Sequence, residues 1–446
     1  MPFLGTTGGG SVKQYGGQAN LVYFIKNSLR FRAANTSNLS RSHSASDRQK
    51  WTFSFWVKRG RLNTDRIIGV SGTGSEGYIG FVGDAIYAID FDGATTYWNL
   101  FTNAVFRDPA AWYHIVLALD TTQATSSNRV KLYVNGSLMT SFQAEAYPTQ
   151  NYQGYYNSAV TTYIGRRGYD TIDTLDGYLA EFNFIDGQQL TPSSFGKTDA
   201  VTGQWIPKKF GGSSYGTNGF YLKFSDTSAA TAAAIGKDSS GNANNWTPNN
   251  ISVTAGVTYD AMIDSPSLSA FASNYPTLNP LDMGTPAEPM SAGNLNINGG
   301  NNIRATMACP STGKWYFEYT RTNTTDYAHV GIFATSLAIT SLAAGSQIYR
   351  NDGGIYENNT NPTSGASYTT NDVIGVAVNC DASELSWYKN NTLVVTRSFV
   401  AQMTTSNAIF GVRNNTGATA SVNFGQRPFV YTPPSGFKSL NTFNLP

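Results

Sequence analysis

Asp176, Glu181 and Asp186 share one short stretch, LDGYLAEFNFID, and are the residues whose type best suits carboxylate chemistry. Two carboxylates flanking a glycosidic bond can hydrolyse it, about 5–5.5 Å apart with retention and about 6.5–9.5 Å apart with inversion. On a strand, such a pair must sit two or four residues apart for both groups to face one groove. Here the spacing is five, which puts successive members on opposite faces. The stretch therefore reads as structure, with Asp176-Gly177 as a turn and Glu181 as a surface or loop-facing polar group. Asp352 before Gly353-Gly354 is likewise a turn. His43, His114 and His329 are the chain's three histidines and are widely separated. Neither a Ser-His-Asp or Cys-His arrangement nor a multi-histidine metal site is expected from them. His114, between Trp112-Tyr113 and Ile115, reads as a buried sandwich histidine. Cys309 and Cys380 are expected as buried thiols rather than a disulfide framework. No catalytic residue is assigned, and the chain is read as a non-enzyme.

Binding chemistry is better represented. The segment AYPTQNYQGYYNSAVTTYIGRRGYD carries Tyr147, Tyr152, Tyr155, Tyr156, Tyr163 and Tyr169, with Arg166-Arg167 among them. A tyrosine in a loop offers a flat apolar face and a hydroxyl at small entropic cost, which suits stacking on a sugar ring or docking a protein. Tyr152, Tyr155, Tyr156, Arg166, Arg167 and Tyr169 are the candidates here, the arginines for an acidic sugar. The competing reading packs these tyrosines under the long loops or against neighbouring copies of the chain.

Short strands must position these groups. SLRF, TFSFWVK, YIGFV, YAIDF, WYHIVLALD, RVKLYV and LAEFNFID recur at roughly 8–12-residue intervals with polar turns between them, the pattern of an antiparallel sandwich. Asn135-Gly136 in KLYVNGSLM is a strong hairpin signal, and SWYKNNTLV repeats it with Asn390-Asn391. Trp51, Phe53, Phe55, Trp112, Tyr133, Phe182, Trp315, Phe317, Trp387 and Phe424 fall in strand patterns and should be core. Charged residues are only 13%, against about 25% in ordinary soluble domains, so the surface is built from Gly, Ser, Thr and Asn turns. Net charge is +2 and no basic block runs long, so nucleic acid is not an expected partner. No apolar run approaches the ~18 residues of a membrane helix, so no membrane insertion is expected. The opening MPFLGTTGGGSVKQYGG lacks the pattern of a secretory leader. Four regions result: a Gly-rich arm at 1–22, a sandwich at 23–226, a Pro-rich connector at 227–300 and a second sandwich at 301–446.

The pieces SLRF, TFSFWVKRG, AAWYHIVLALD, RVKLYVNGSLM and DGYLAEFNFIDGQQLTPSSFG resemble the laminin-G-like, concanavalin A-like jelly roll over residues 28–195. GKWYFEY, HVGIF, DVIGVAVNCDASELSWYKNN, SVNFGQRPF and YTPPSGFKSLNT resemble a SPRY domain over 301–446. The resemblance implies an all-β chain of two concanavalin A-like antiparallel β-sandwiches joined by the Pro-rich connector. The Glu-x-Asp-x-x-Glu arrangement of concanavalin-like glycosidases is absent. Laminin-G-like relatives bind calcium through loop carboxylates, which makes Asp65, Asp84, Asp92 and Asp170 the residues to watch, although no ligand spacing is visible. No other cofactor is implied. Ligand contacts of SPRY domains come from loops at one end, here near Tyr349, Arg350 and Tyr356.

The two domains in tandem resemble virion proteins of tailed bacteriophages. That implies a fibre or appendage subunit in the virion, assembled in the host cytoplasm. Its expected partners are other virion proteins and a host cell-surface glycan or protein, in a homo-oligomer such as a trimer. The alternatives are a decoration or cement protein without ligand, and a polysaccharide-degrading tailspike.

Overall fold

A computed structural model describes residues 23–72, 75–284, 290–299, 301–336, 339, 345–403 and 408–446. The Gly-rich arm at 1–22 lies outside them. The described residues contain no α-helix, only single 3-10 turns at Ala33–Asn35, Ser126–Asn128 and Pro192–Ser194.

The first sandwich is made of two antiparallel sheets. One runs, in spatial order, Ser137–Leu138, Val130–Val134, Trp112–Asp120, Lys50–Arg59, Gly177–Asp186, Ser28–Phe31 and Ala261–Met262, with Phe220–Leu222 also paired to Gly177–Asp186. The other runs Phe142–Ala146, Thr96–Val105, Ala85–Phe91, Ser75–Val82, Asp65–Gly72, Thr161–Ile164, Asn38–Ser42 and Thr247–Asn249. Trp51, Phe53, Phe55, Ile79, Phe81, Ile86, Trp98, Phe182 and Phe184 fill the space between them. Phe53 stacks on Phe184 at 4.5 Å and Phe55 on Phe182 at 4.8 Å. Each buried side chain of this size stabilises the fold by about 1.5–3 kcal/mol relative to exposure.

The second sandwich pairs a sheet of Leu278–Met283, Asn301–Ala308, Ala408–Asn414, Ala328–Ala334, Ser346–Arg350, Gly354–Glu357 and Thr360–Ser364 with another. That other sheet runs Met290–Ser291, Asn296–Asn298, Thr419–Asn423, Lys314–Arg321, Val373–Asn379, Glu384–Lys389 and Thr392–Ser398. Trp315, Phe317, Trp387, Phe410 and Phe424 are buried between them. Cys309 and Cys380 are free, buried thiols.

The connector expected at 227–300 needs correction. Thr247–Asn249 and Ala261–Met262 add strands to the two sheets of the first sandwich, and Leu278–Met283 with Asn296–Asn298 add strands to the second. Its strands read weakly because they are short and hold Pro248 and Pro280, which spoil a continuous pattern. The crossing itself spans 263–277, where Ile263 N–H donates to the Gln426 carbonyl at 2.9 Å.

The two sandwiches share buried surface. Trp56, Trp112, Tyr178 and Ala180 point out of the first sheet and belong to one apolar cluster with Leu278, Leu295 and Ile303. The Asp176 carboxylate accepts N–H bonds from Ala33, Ala292 and Gly293 at 3.2, 3.0 and 2.6 Å. Tyr178 donates its hydroxyl to the Gly293 carbonyl at 2.7 Å. Val116, Ile185, Phe195 and Phe210 form a smaller cluster on the same sheet. The outer face of this sheet is thus largely built over.

The two echoing turns are one device used twice. Asn135 and Gly136 have φ of 48° and 83°, Asn390 and Asn391 of 48° and 69°, the left-handed pairs a two-residue hairpin turn requires. Asn135 N–H donates to the His114 carbonyl while its side-chain oxygen accepts the His114 N–H, both at 2.8 Å. Asn390 does the same with Val373, both at 2.9 Å. Each asparagine therefore closes its own hairpin and ties it to the neighbouring strand.

His114 is a core group. Its Nδ1 accepts from Trp205 Nε1 and its Nε2 lies on Ser54 Oγ, each at 2.9 Å. Burial pushes its pKa down to about 3, so the folded imidazole stays neutral. The unfolded chain takes up that proton near pH 6.5. The neutral histidine's contribution is therefore present above pH 6.5 and is lost as pH falls toward 3. We expect His114→Gln to flatten the acid limb of a stability-versus-pH curve measured by urea unfolding. An unchanged slope would contradict this role.

Candidate functional site: an aromatic sheet face

The outer face of the second sheet carries a row of rings, partly covered by Arg66 and the Arg166–Gly168 loop. In Ser75–Val82, Ala85–Phe91 and Thr96–Val105 the alternation sends Ile79, Phe81, Ile86, Ala88, Trp98 and Leu100 into the core. It sends Tyr78, Tyr87, Phe91 and Phe101 outward. Gly80, Tyr87 and Phe101 stand in one cross-strand row, and Tyr78, Ile89 and Asn99 in the next. Tyr87 lies 4.8 Å from Phe101 and 5.7 Å from Tyr78, and Tyr78 lies 6.5 Å from Phe91. Tyr87, Phe91 and Phe101 are half-buried. The result is a continuous apolar strip on a sheet face.

Polar groups frame the strip. The Arg66 guanidinium lies over the Tyr78 ring at 4.1 Å and pairs with Asp173 at 3.2 Å. Glu76 accepts two bonds from Arg167, each 3.1 Å. Burial pushes the Tyr78 hydroxyl up to about 12, so it stays a neutral donor. Asn99 Nδ2 reaches the Tyr87 hydroxyl at 3.4 Å, and its Oδ1 has no hydrogen-bond partner among the described residues. At Gly69 a Cβ would stand 2.6 Å from Gly168 N and 2.7 Å from the Arg166 carbonyl. That glycine lets the Arg166–Gly168 loop lie directly on the sheet as one wall. Flat rings with hydrogen-bonding groups at their edges can stack on the apolar face of a sugar ring and bond its hydroxyls.

The structure separates the residues singled out from the sequence. Tyr156 is corrected from loop to core: it is fully buried, 5.0 Å from Trp51 and 6.0 Å from Trp98. Tyr152 and Tyr155 are half-buried and pack against Tyr97 at 4.9 and 6.1 Å, where the strand Thr96–Val105 begins next to Phe91. Arg166 covers the Tyr163 ring at 4.2 Å. Arg167 serves Glu76, and its guanidinium covers Tyr169, which is 59% exposed. Tyr349 is also corrected to core, stacked edge-on against Tyr368 at 4.9 Å and Trp387 at 6.4 Å. Arg350 lies between the rings of Tyr327 and Tyr356, at 4.2 and 4.5 Å, and pairs with Asp352. The strip itself was missed. Its trace in the sequence is YAIDF, whose alternation puts Tyr87, Ile89 and Phe91 on one face and Ala88 and Asp90 on the other.

The carboxylates are more deeply placed than expected. Asp176, Glu181 and Asp186 are all buried, so Glu181 is not a surface group. The strand is bulged between Ala180 and Asn183, and Glu181 sits there with φ of 52°. Its oxygens accept from the Tyr221 hydroxyl at 2.7 Å and from Tyr23. Asp186 accepts from Asn157 Nδ2 at 2.7 Å and Asn218 N at 2.9 Å. Burial, against these bonds, pushes Glu181 up to about 7. A carboxyl whose folded pKa is raised stabilises most below its unfolded value, and that contribution is lost as pH rises through the folded one. Glu181→Gln should therefore gain stability relative to wild type between about pH 4.5 and 7, on the order of 2–3 kcal/mol by urea unfolding. A difference that does not change with pH would contradict this. The loop carboxylates watched for calcium have protein partners. Asp65 bonds Arg61, Asp84 pairs with Arg59 and Arg107 at 2.8 and 2.9 Å, and Asp92 and Asp170 cap their own turns.

Two packed antiparallel sandwiches define the class of all-β proteins. Comparison with known families agrees. Residues 33–194 match the concanavalin A-like lectin/glucanases superfamily and residues 314–427 match the SPRY domain. The chain thus holds a laminin-G-like, concanavalin A-like domain followed by a SPRY domain. Among solved structures, the SPRY domain of human HERC1 is similar at 14% identity, over 32% of this chain and 96% of that one, with a TM-score of 0.28. A heptameric SAP-like pentraxin from Limulus polyphemus is similar at 12% identity, over 42% of this chain and 94% of that one, with a TM-score of 0.32. No curated protein matches.

Proposed function

We propose that the chain is a non-enzymatic adhesion and structural subunit of a tailed-bacteriophage particle, and that its first sandwich holds a host-surface glycan on the strip of Tyr78, Tyr87, Phe91 and Phe101. The observation that carries the reading is that strip: three half-buried rings, Tyr87, Phe91 and Phe101, beside the buried Tyr78, on the sheet face the second sandwich leaves free. Apolar surface gathered on one face marks a binding site more often than scattered rings do. The tandem of concanavalin A-like and SPRY domains supports the virion setting, in a homo-oligomer docked to other virion proteins. Buried partners for Asp176, Glu181 and Asp186 support the absence of a two-carboxylate hydrolase. A glycan array probed with the purified protein tests the proposal. Selective retention by a set of host polysaccharides is expected, with no new reducing ends after incubation. Retention by no glycan would sink the adhesion half, and release of reducing ends would replace it with a tailspike enzyme.

A further inference from the structure

At the junction of the two domains a cleft of about 370 Å³ opens between the 259–263 segment and Gly425–Phe429. That volume is at the small end of the usual range of ligand pockets, and domain junctions are preferred places for them. Arg427 lines it and is only 4% exposed. Its guanidinium donates to the carbonyls of Val257 and Val422 at 3.0 and 3.1 Å and to Ser421 Oγ at 2.9 Å. These are three neutral acceptors for a group with five donors. Among the described residues no carboxylate stands within ion-pair distance of it. A charge buried with only neutral acceptors is costly, so something else should compensate it.

The surroundings deepen the imbalance. Arg30 donates to the same Val257 carbonyl at 3.1 Å, which brings two guanidinium groups to one oxygen. Arg30 and Arg32 already share Asp260. The nearby Glu318 is committed to the backbone N–H groups of Val430 and Tyr431 at 2.8 and 2.9 Å. Lys26 adds a further cation to the cleft lining. Burial, and then the neighbouring Arg30, pull Arg427 down to about 9, and the more distant Glu318 and Asp260 offset this only in part.

A second observation points the same way. Asn27 lines the cleft, is 6% exposed, and its Oδ1 has no hydrogen-bond partner among the described residues. Its Nδ2 reaches only the Met262 carbonyl, at 3.5 Å. An orphaned amide oxygen in the same cleft lining as a guanidinium without an ion-pair partner matches a ligand with both an anionic oxygen and a donating hydroxyl. Tyr259 and Phe429 supply apolar walls.

We infer that this cleft binds a carboxylate-bearing saccharide unit, its carboxylate on Arg427 and Lys26 and a hydroxyl donated to Asn27. The site is independent of the ring strip. Titration calorimetry of the full chain with free glucuronate, with glucose and inorganic sulfate as controls, tests it. Glucuronate should bind and weaken with added salt, and glucose should not bind. Arg427→Met should weaken glucuronate at least about tenfold, since it removes a charge-assisted contact. Because that variant alters the interior, Lys26→Gln and Asn27→Ala serve as milder ones, each with a several-fold loss. Tyr87→Ala/Phe101→Ala should leave glucuronate binding unchanged, which separates this site from the glycan strip. No binding of glucuronate, equal binding of glucose, sulfate binding in its place, or full affinity in the Lys26 and Asn27 variants would each overturn the assignment.

Discussion

Asp260→Ala should cost about 3–5 kcal/mol of stability, the range for removing one partner of a buried ion pair. Asp260 and Arg30 are both fully buried and Arg32 nearly so. One carboxylate oxygen accepts Arg30 Nε at 3.0 Å and Arg32 Nε at 2.9 Å, and the other accepts Arg32 Nη2 at 3.0 Å and Ser252 N–H at 2.8 Å. Its backbone carbonyl accepts Arg30 N–H at 2.8 Å. Alanine keeps the backbone bond and removes the counter-charge of two guanidinium groups that sit near a third, Arg427. The loss should therefore exceed that of any exposed pair in the chain, for which about 0–1 kcal/mol is usual. Arg350 and Asp352 form such a pair, and Asp352→Ala is the control. In thermal unfolding the first change should lower Tm by about 10 °C and the control by about 1–2 °C. Equal, small effects would mean that this ion-pair cluster is solvated and does not hold the 252–262 segment to the first sandwich as described.

Tyr87→Ala/Phe101→Ala should abolish glycan retention while the chain stays folded. Truncating one central aromatic of a binding surface costs about 2 kcal/mol, or roughly thirtyfold in affinity. The two rings touch at 4.8 Å, so their effects will not simply add, and a loss of at least about a hundredfold is expected for the pair. Neither ring belongs to the core between the sheets, so the fold should lose no more than about 1–2 kcal/mol. Tyr152→Ala/Tyr155→Ala is the comparison: those rings lie on Tyr97 at the end of the strip and should weaken binding only several-fold. The opposite ranking would return the site to the tyrosine-rich loop.

The fold was largely legible from the sequence, and the site was not. Strands such as Lys50–Arg59 and Gly177–Asp186 announce themselves by aromatic and β-branched content. The Asn135-Gly136 and Asn390-Asn391 turns announce themselves by needing positive φ. Short strands such as Ala261–Met262 leave no periodic signal, because two residues cannot show a period. Tyr156 and Tyr349 were read as loop residues since tyrosine suits both surfaces and cores, and only the packing of Trp51 or Tyr368 against them decides. Tyr87 stands in the strand pattern YAIDF, while the strand that holds Phe101 carries no sequence reading, and alternation tells that one set faces out, not whether another domain covers it. Arg30, Asp260 and Arg427 come from distant parts of the chain and are joined only by the fold. Glu181 at a bulge breaks the alternation used to place it.

A crystal structure of the protein soaked with the glycan selected on the array tests the central proposal most directly. The account predicts a sugar ring stacked on Tyr87 and Phe101, with carbon-to-ring contacts of about 4 Å and hydroxyls near Asn99 and Arg167. A glycan held at the tyrosine-rich loops or on the SPRY domain, with the strip bare, would contradict it.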